Sequence, residues 1–472
     1  MKQAYLKTKT DMKISQASFK ELLKTNNNPW MKNILLVALL SFLAISCDVL
    51  EVEPQDSIPA DAAFTTKEDI NKGILGAYAS FQSFSYYGRT YNIFSDLAAD
   101  NLSHPLAATS TSYAEVDNNN ILPENGSISG IWSVIYDGIN VSNNIITKVP
   151  TIDAMTEQEK NTALAELYFI RGLNHFNLLN YFGAIPIKIN PTVGVTNLDV
   201  PRNSVEEVYS QIINDLSFAA ENLQVSGNKT RASKFAAKAL LARVYLYKKD
   251  YPQAIAFASD VIANGNYSLL DNYSDVFAQD ESAESIFEIF FSQTERNRIA
   301  EYNFPHSLNG RREVEPSENL LNTYETGDTR YEASIAFEGA EAYAKKYDDL
   351  SLGADNMIVL RLADMYLIRA EAEANLPAPN ITSVKDDINE IRTRANLTPT
   401  SETSVTQLLK IIENERRIEF AFEGHRWFDL VRTNRAIAVL PNVNSMTQML
   451  FPIPTDEIQT NKDPGMTQNP GY

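Results

Sequence analysis

The carboxylates Glu419 and Glu423 are four residues apart in ENERRIEFAFEGHRWFDLVRTNR (413–435), a spacing that puts both on one helix face. Used chemically, they would form an acid/base pair. The same window also reads as structure. On a helix Glu413 reaches Arg417, and beyond Gly424 His425 reaches Asp429 and Asp429 reaches Arg432. Ile418, Phe420, Phe422, Trp427, Phe428, Leu430 and Val431 supply apolar mass between these charges. Gly424 can take the left-handed conformation that ends one helix and turns the chain into the next. The expectation is an amphipathic helix–turn–helix whose charges pair with one another at the edge of the core. The window reads as scaffold.

Other chemical signals are sparse. Glu371 and Glu373 are two residues apart, so a helix points them to different faces. There is no HExxH, no GxSxG and no glycine loop to cradle a phosphate. Of the four histidines, 104, 175, 306 and 425, His425 falls in the scaffold window and His175 in a helical core pattern. The single cysteine, Cys47, excludes an intramolecular disulfide and a multi-cysteine zinc site. Catalytic residues, metals and cofactors are therefore expected to be none.

Sugar binding needs different side chains: flat aromatic faces against C–H surfaces, and planar polar groups on adjacent hydroxyls. Two loop-like stretches offer them. QSFSYYGRTY carries Phe84, Tyr86, Tyr87 and Tyr91, and EYNFPHSLNGRR carries Tyr302, Phe304, Asn309, Arg311 and Arg312. Tyr113 stands among small polar residues. Tyr113 and Tyr302 are the leading candidates, because their sequence neighbours offer no apolar face to share. Against this, tyrosines in loops commonly anchor the loop to the core, and neither stretch has a tryptophan.

The N-terminus concerns location. Met31-Lys32-Asn33 is a short basic start, followed by the apolar run Ile34 to Ile45 and then Ser46-Cys47. Such a run suits a signal peptide and falls short of the roughly 20 residues that span a bilayer. The small residue before the only cysteine resembles a bacterial lipobox, which implies lipidation at Cys47. The segments expected are an upstream extension (1–30), a lipoprotein signal peptide (31–46) and an acidic tether (47–63) with Asp48, Glu51 and Glu53. The formal charge is −19, and residues 1–46 hold seven Lys against two acids, a local +5, so the remainder carries −24. A body that acidic repels phosphate backbones, which argues against nucleic acid as a partner.

From residue 64 onward the periodicity is mainly helical. Capping boxes at Thr65/Glu68, Thr156/Glu159, Ser204/Glu207 and Ser404/Gln407 open helices. A short helix is expected near 93–99, a long one over 157–181 and short strands at 185–189 and 286–291. Pairs of helices with alanine at their crossings, around 236–262 and 362–395, look like tetratricopeptide-type hairpins. The segments 82–125, 186–203 and 265–358 are long insertions, and loops exceeding about 15 residues are usually functional or disordered. The predicted fold class is mainly α: helical hairpins with long irregular insertions and a few short strands.

Six segments in order carry a resemblance: SIFEIFFSQ, EPSENLLNTYETGDTRYEASI, RLADMYLIRAEAEANL, INEIRTRANL, ERRIEFAFEGHRWFDLVR and FPIPTDEIQTNKDPGMTQNPGY. Together they resemble the SusD/RagB family of outer-membrane nutrient-binding lipoproteins. The resemblance implies one SusD-like domain over 64–472, with a ligand-binding region inserted at about 82–125 and 265–358. It also implies an outer-membrane, lipid-anchored, surface-exposed protein that delivers oligosaccharide, or peptide, to a SusC-like TonB-dependent transporter. Two other readings stand beside it. A surface glycoside hydrolase would need two carboxyls about 5–9 Å apart across a cleft. A tetratricopeptide scaffold binding only proteins would present a groove lined by helix side chains.

Overall fold

The computed structural model describes residues 63–194 and 198–472, together with Trp30. The expected upstream extension, signal segment with Cys47 after it, and acidic tether fall almost wholly outside the described residues. Met1–Ala63 and Phe64–Tyr472 are separate units, and the elements named below belong to the second.

Among the described residues nine long helices build the frame; most bury one apolar stripe at steps of three and four, while Glu157–Phe182, Lys234–Lys248 and Leu362–Ala374 are buried on nearly every side over most of their length. The nine are α1 (Lys67–Ala79), α2 (Gly126–Lys148), α3 (Glu157–Phe182), α4 (Val205–Asn222) and α5 (Lys234–Lys248), then α6 (Tyr251–Asn264), α7 (Leu362–Ala374), α8 (Ile381–Arg394) and α9 (Val405–Glu419). Each packs on the next in the series, including α6 on α7, which residues 265–361 separate in sequence. Contiguity in space without contiguity in sequence is what a frame of hairpins around an insertion requires. The fold is mainly α, as the periodicity indicated.

The strands are short. β1 (Leu102–Ser103) pairs with β3 (Glu315–Pro316), β2 (Ser285–Ile289) with β6 (Met357–Arg361), and β4 (Ile335–Glu338) with β5 (Glu341–Ala344), all antiparallel. The segment at 185–189 forms only an isolated bridge from Ile185 to Asn203. The hydroxyl of Tyr136 and the amide of Asn143 bond the Pro186 and Lys188 carbonyls, at 2.9 and 3.1 Å, so a ladder has no use for these groups. The insertion 82–125 holds two short helices, Thr90–Leu97 and Thr111–Asp117. The second carries Tyr113 and lacks a periodic signal.

Two of the four capping boxes form as expected, at Thr156/Glu159 and Ser204/Glu207. The first is displaced by one residue to Thr66/Asp69. Ser404 makes no side-chain cap, and Glu402 takes the Thr403 and Ser404 N–H groups at 2.7 and 2.8 Å, the latter being the one Gln407 would accept in the box.

Most charges of 413–435, from Glu415 to Asp429, are buried inside the core, and only the Glu413–Arg435 pair lies at its edge. Arg361 lies at its hub: Nη1 meets Glu284 at 2.7 Å and Glu419 at 2.6 Å, and Nε meets Glu423 at 2.8 Å. Arg394 also reaches Glu419, and Arg330 reaches it at 3.2 Å. Lys346 joins at Glu423, 2.8 Å away. A second chain runs from Arg243 to Asp364, Arg416, Asp429 and Arg432. Asp429 thus pairs with Arg432 as expected. Glu413 meets Arg435 at 2.9 Å, while Arg417 turns to Asp100 at 3.2 Å, because the partners folding brings near outcompete helical neighbours. The Nδ1 of His425 has no partner, and burial drives that ring down to about 3. Gly424 does turn left-handed, at φ +84°.

Removing one carboxylate from a buried ion cluster leaves its cations short of counter-charge and away from water, at about 3–5 kcal/mol. Glu419→Ala should therefore lower the unfolding free energy by that amount in denaturant titration. Glu413→Ala, in a partly exposed pair, should cost less than about 1 kcal/mol.

Candidate ligand-binding site

The insertions 82–125 and 265–358 are widely separated in sequence but meet in the structure. The Arg298 N–H donates to the Gly88 carbonyl at 2.8 Å, and the β1–β3 pair joins the same two segments. Glu313 accepts the N–H groups of Thr109 and Ser110 at 3.2 and 3.1 Å, and its own carbonyl lies 2.7 Å from His104 Nδ1. Glycine makes both loops tight. A Cβ on Gly88 would lie 2.5 Å from the Gln82 carbonyl oxygen, and one on Gly310 would lie 2.0 Å from that of Phe304. Asn309 beside it is left-handed, at φ +67°.

The aromatic residues divide between anchors and surface. Tyr86 and Tyr87 lie in the core, where Tyr86 donates to Asn174 at 2.8 Å and Asn177 bonds both hydroxyls at 2.6 and 2.8 Å. Burial pushes the Tyr87 phenol up to about 12. Tyr91 is buried with them, edge-on to Tyr181. These three fasten the first loop to α3. Phe304 packs on Tyr343, with ring centres 4.6 Å apart.

Tyr113 and Tyr302 lie together, with ring centres 5.8 Å apart and planes 28° from parallel, and Phe94 meets Tyr113 edge-on. They are only 2% and 8% exposed. Their sequence neighbours are polar, yet each finds an apolar face nearly 200 positions away, a pairing local sequence cannot show. The hydroxyl of Tyr113 makes no hydrogen bond, and burial raises its phenol pKa.

What reaches solvent beside this pair is Phe84, 53% exposed, together with Arg311 and the edge of Arg89. Arg89, which no sequence pattern singled out, belongs to this surface. Its guanidinium carbon is 5.0 Å from the centre of the Phe84 ring and 4.2 Å from that of Tyr302. Arg311 lies 5.0 Å from the same tyrosine ring. Nearby acids are engaged elsewhere: Glu301 holds Arg298 at 2.7 and 2.9 Å, and that hydrogen bond raises the arginine pKa. Burial would raise the pKa of Glu313, but the Ser110 and Thr109 N–H groups and Arg311 hold it below the usual range. Arg312 turns to Glu315 and Glu341. The result is an aromatic and guanidinium surface framed by two pinned loops.

Concavities lie elsewhere among the described residues, the most spacious, of about 800 Å³, lined by Tyr273, Lys345, Asp348 and Arg394. A cleft of about 450 Å³ at 186–199 is lined by Trp132, Tyr136, Asn140 and Lys188. Its Trp132 Nε1 and Tyr136 hydroxyl already bond Glu457 and Pro186, leaving less for a ligand. A groove of about 380 Å³ bears Tyr251, Leu409, Glu413 and Arg435, helix side chains of the kind a protein partner would meet. Glu419 and Glu423 are buried among cations; burial favours their neutral forms, but the surrounding arginines and Lys346 hold them ionised, so neither suits proton transfer. Among the described residues no group of three His, Cys, Asp or Glu is placed to hold a metal. Nor is any helix there long and apolar enough to cross a membrane.

Comparison with known proteins matches residues 342–472 to a model described as the SusD family, and 48–246 to one described as starch-binding, associating with the outer membrane. The stretch between them contains much of the second insertion, in keeping with the variability of binding loops. A SusD-like protein of Formosa agariphila is 28% identical over 467 residues, covering 85% of this chain and 91% of that one. The starch-binding protein SusD of Bacteroides thetaiotaomicron is 25% identical over 427 residues, covering 68% and 74%. Among solved structures, a laminarin-binding SusD-like protein matches with a TM-score of 0.78 at 27% identity, covering 87% of this chain and 100% of the other. With two such models in order along the sequence and the helical frame shared with solved members, this chain belongs to the SusD/RagB family.

Proposed function

We propose that this protein is a non-catalytic surface lipoprotein that captures oligosaccharides and passes them to a SusC-like TonB-dependent outer-membrane transporter. The observation that carries the reading is the patch of Phe84, Arg89, Tyr302 and Arg311, held by two insertions on a family frame whose relatives include starch- and laminarin-binding proteins. An exposed ring suits the C–H face of a sugar, and guanidinium N–H groups suit its hydroxyls. Tyr113, Tyr302 and Phe304 act mainly by setting the shape of that surface, and Tyr86 and Tyr87 by holding its loop in place. The family model associated with the outer membrane agrees with the location inferred from the signal segment.

The anchor in this reading is covalent. Acyl chains on Cys47 contribute about 0.8 kcal/mol per buried CH₂, so two or three of them hold the protein to a membrane without help from the fold.

Two experiments test these points. In a screen of glycans and peptides by calorimetry, oligosaccharides should bind, and Phe84→Ala should weaken that binding by about 5–10-fold, the worth of a stacking contact. Binding of peptides alone, or turnover of the glycan, would contradict the reading. Cys47→Ala should move the protein out of the membrane fraction, and a variant that stays there would remove the lipid anchor from the account.

A further inference from the structure

We propose that the oligosaccharide taken at this patch is acidic, and that Arg89, with Arg311 beside it, receives its carboxylate or sulfate group. The inference rests on reading the patch as the sugar site, and adds the ligand's charge.

Nine arginines are buried among the described residues, and eight of them have a carboxylate within 4 Å. Arg171, for example, holds Asp215 at 2.7 Å, and Arg426 holds Asp100 at 2.6 Å. Arg89 is the exception. It is only 9% exposed, and its Nε donates to Thr90 Oγ1 at 3.1 Å. Nη1 and Nη2 make no hydrogen bond to any described residue, although neither is shut off from solvent. The rings of Phe84 and Tyr302 flank the guanidinium, so its edge remains for a ligand.

This arrangement stands out in so acidic a molecule. Residues 47–472 carry −24, yet among the described residues no carboxylate lies within 4 Å of Arg89. Glu301 is committed to Arg298, and Glu313 to the backbone of Thr109 and Ser110. Arg311, half exposed, touches Glu313 only at 3.4 Å. Three guanidiniums thus face two carboxylates that are already engaged. The guanidinium is largely covered by its neighbours and has no protein counter-charge, so an anion at its solvent-facing edge gains more than a neutral group does. The free Nη1/Nη2 edge presents parallel donors, matched to the paired oxygens of a carboxylate or sulfate. Neutral hydroxyls would leave the charge uncompensated.

The test uses the full chain and three oligosaccharides of equal length: laminarihexaose as the neutral sugar, a hexagalacturonate as the carboxylate and a carrageenan hexasaccharide as the sulfate ester. At least one acidic sugar should bind about 10-fold or more tighter than laminarihexaose, and the preference should shrink between 50 and 500 mM NaCl, each concentration being about the scale on which screening acts. The acidic sugar that binds identifies the group. Arg89→Gln should cost that sugar about 10–100-fold and the neutral one far less. Since Arg89 is largely buried, Arg311→Gln serves as a surface variant that folds independently of that packing, and it should cost the acidic sugar several-fold. Equal or tighter binding of laminarihexaose, or acidic affinity unchanged in both variants, would overturn the inference while leaving sugar capture intact. No binding of any of the three would overturn the sugar site itself.

Discussion

The contact on which most of the molecule depends is the buried meeting of Arg361 with Glu284, Glu419 and Glu423. Its members come from three places: the turn into β2, the junction of β6 with α7, and the end of α9 with the residues after it. The β2–β6 pair, which closes the large insertion, is thereby tied to the helical frame. Such a cluster is expensive to desolvate and holds only because every charge has partners. Lys346 illustrates the balance, since burial lowers it to about 8 even with Glu423 opposing the shift. The same crowding makes the window chemically inert. A carboxylate surrounded by guanidiniums stays ionised and is shielded from any substrate.

An inert, well-tied frame is what a capture protein needs. The insertions carry no large core of their own, so their geometry is borrowed from anchors: Tyr86 and Tyr87 on α3, the Arg298–Gly88 hydrogen bond, and the Glu313 carboxylate across both segments. With the backbone pinned, the exposed Phe84 ring and the edge of Arg89 are presented at little further entropic cost on binding. On the proposed reading function sits on loops and stability in the frame, a division common to rigid scaffolds with variable sites.

The helical frame was legible because it is written locally. Steps of three and four located the long helices, and Thr156/Glu159 and Ser204/Glu207 marked starts that the structure keeps. The ion clusters were legible only as composition. Glu413 and Arg417 are well spaced for each other, yet Arg435 and Asp100 win them through tertiary proximity. The candidate site was the least legible part. Tyr113 and Tyr302 were singled out because of polar neighbours, and the stacking that covers them joins residues far apart in the chain. Arg89 escaped notice because a single arginine in a polar loop has no period. It becomes visible only once its missing carboxylate can be seen beside eight buried arginines that have one.

The central claim is that two insertions pinned to an inert frame form one sugar-binding surface. A crystal structure of the protein with a bound oligosaccharide tests it most directly. The account predicts an intact sugar chain with a ring in van der Waals contact with Phe84 and a polar group on the Arg89 edge. A sugar seated instead against Trp132 and Tyr136, or found cleaved, would contradict it.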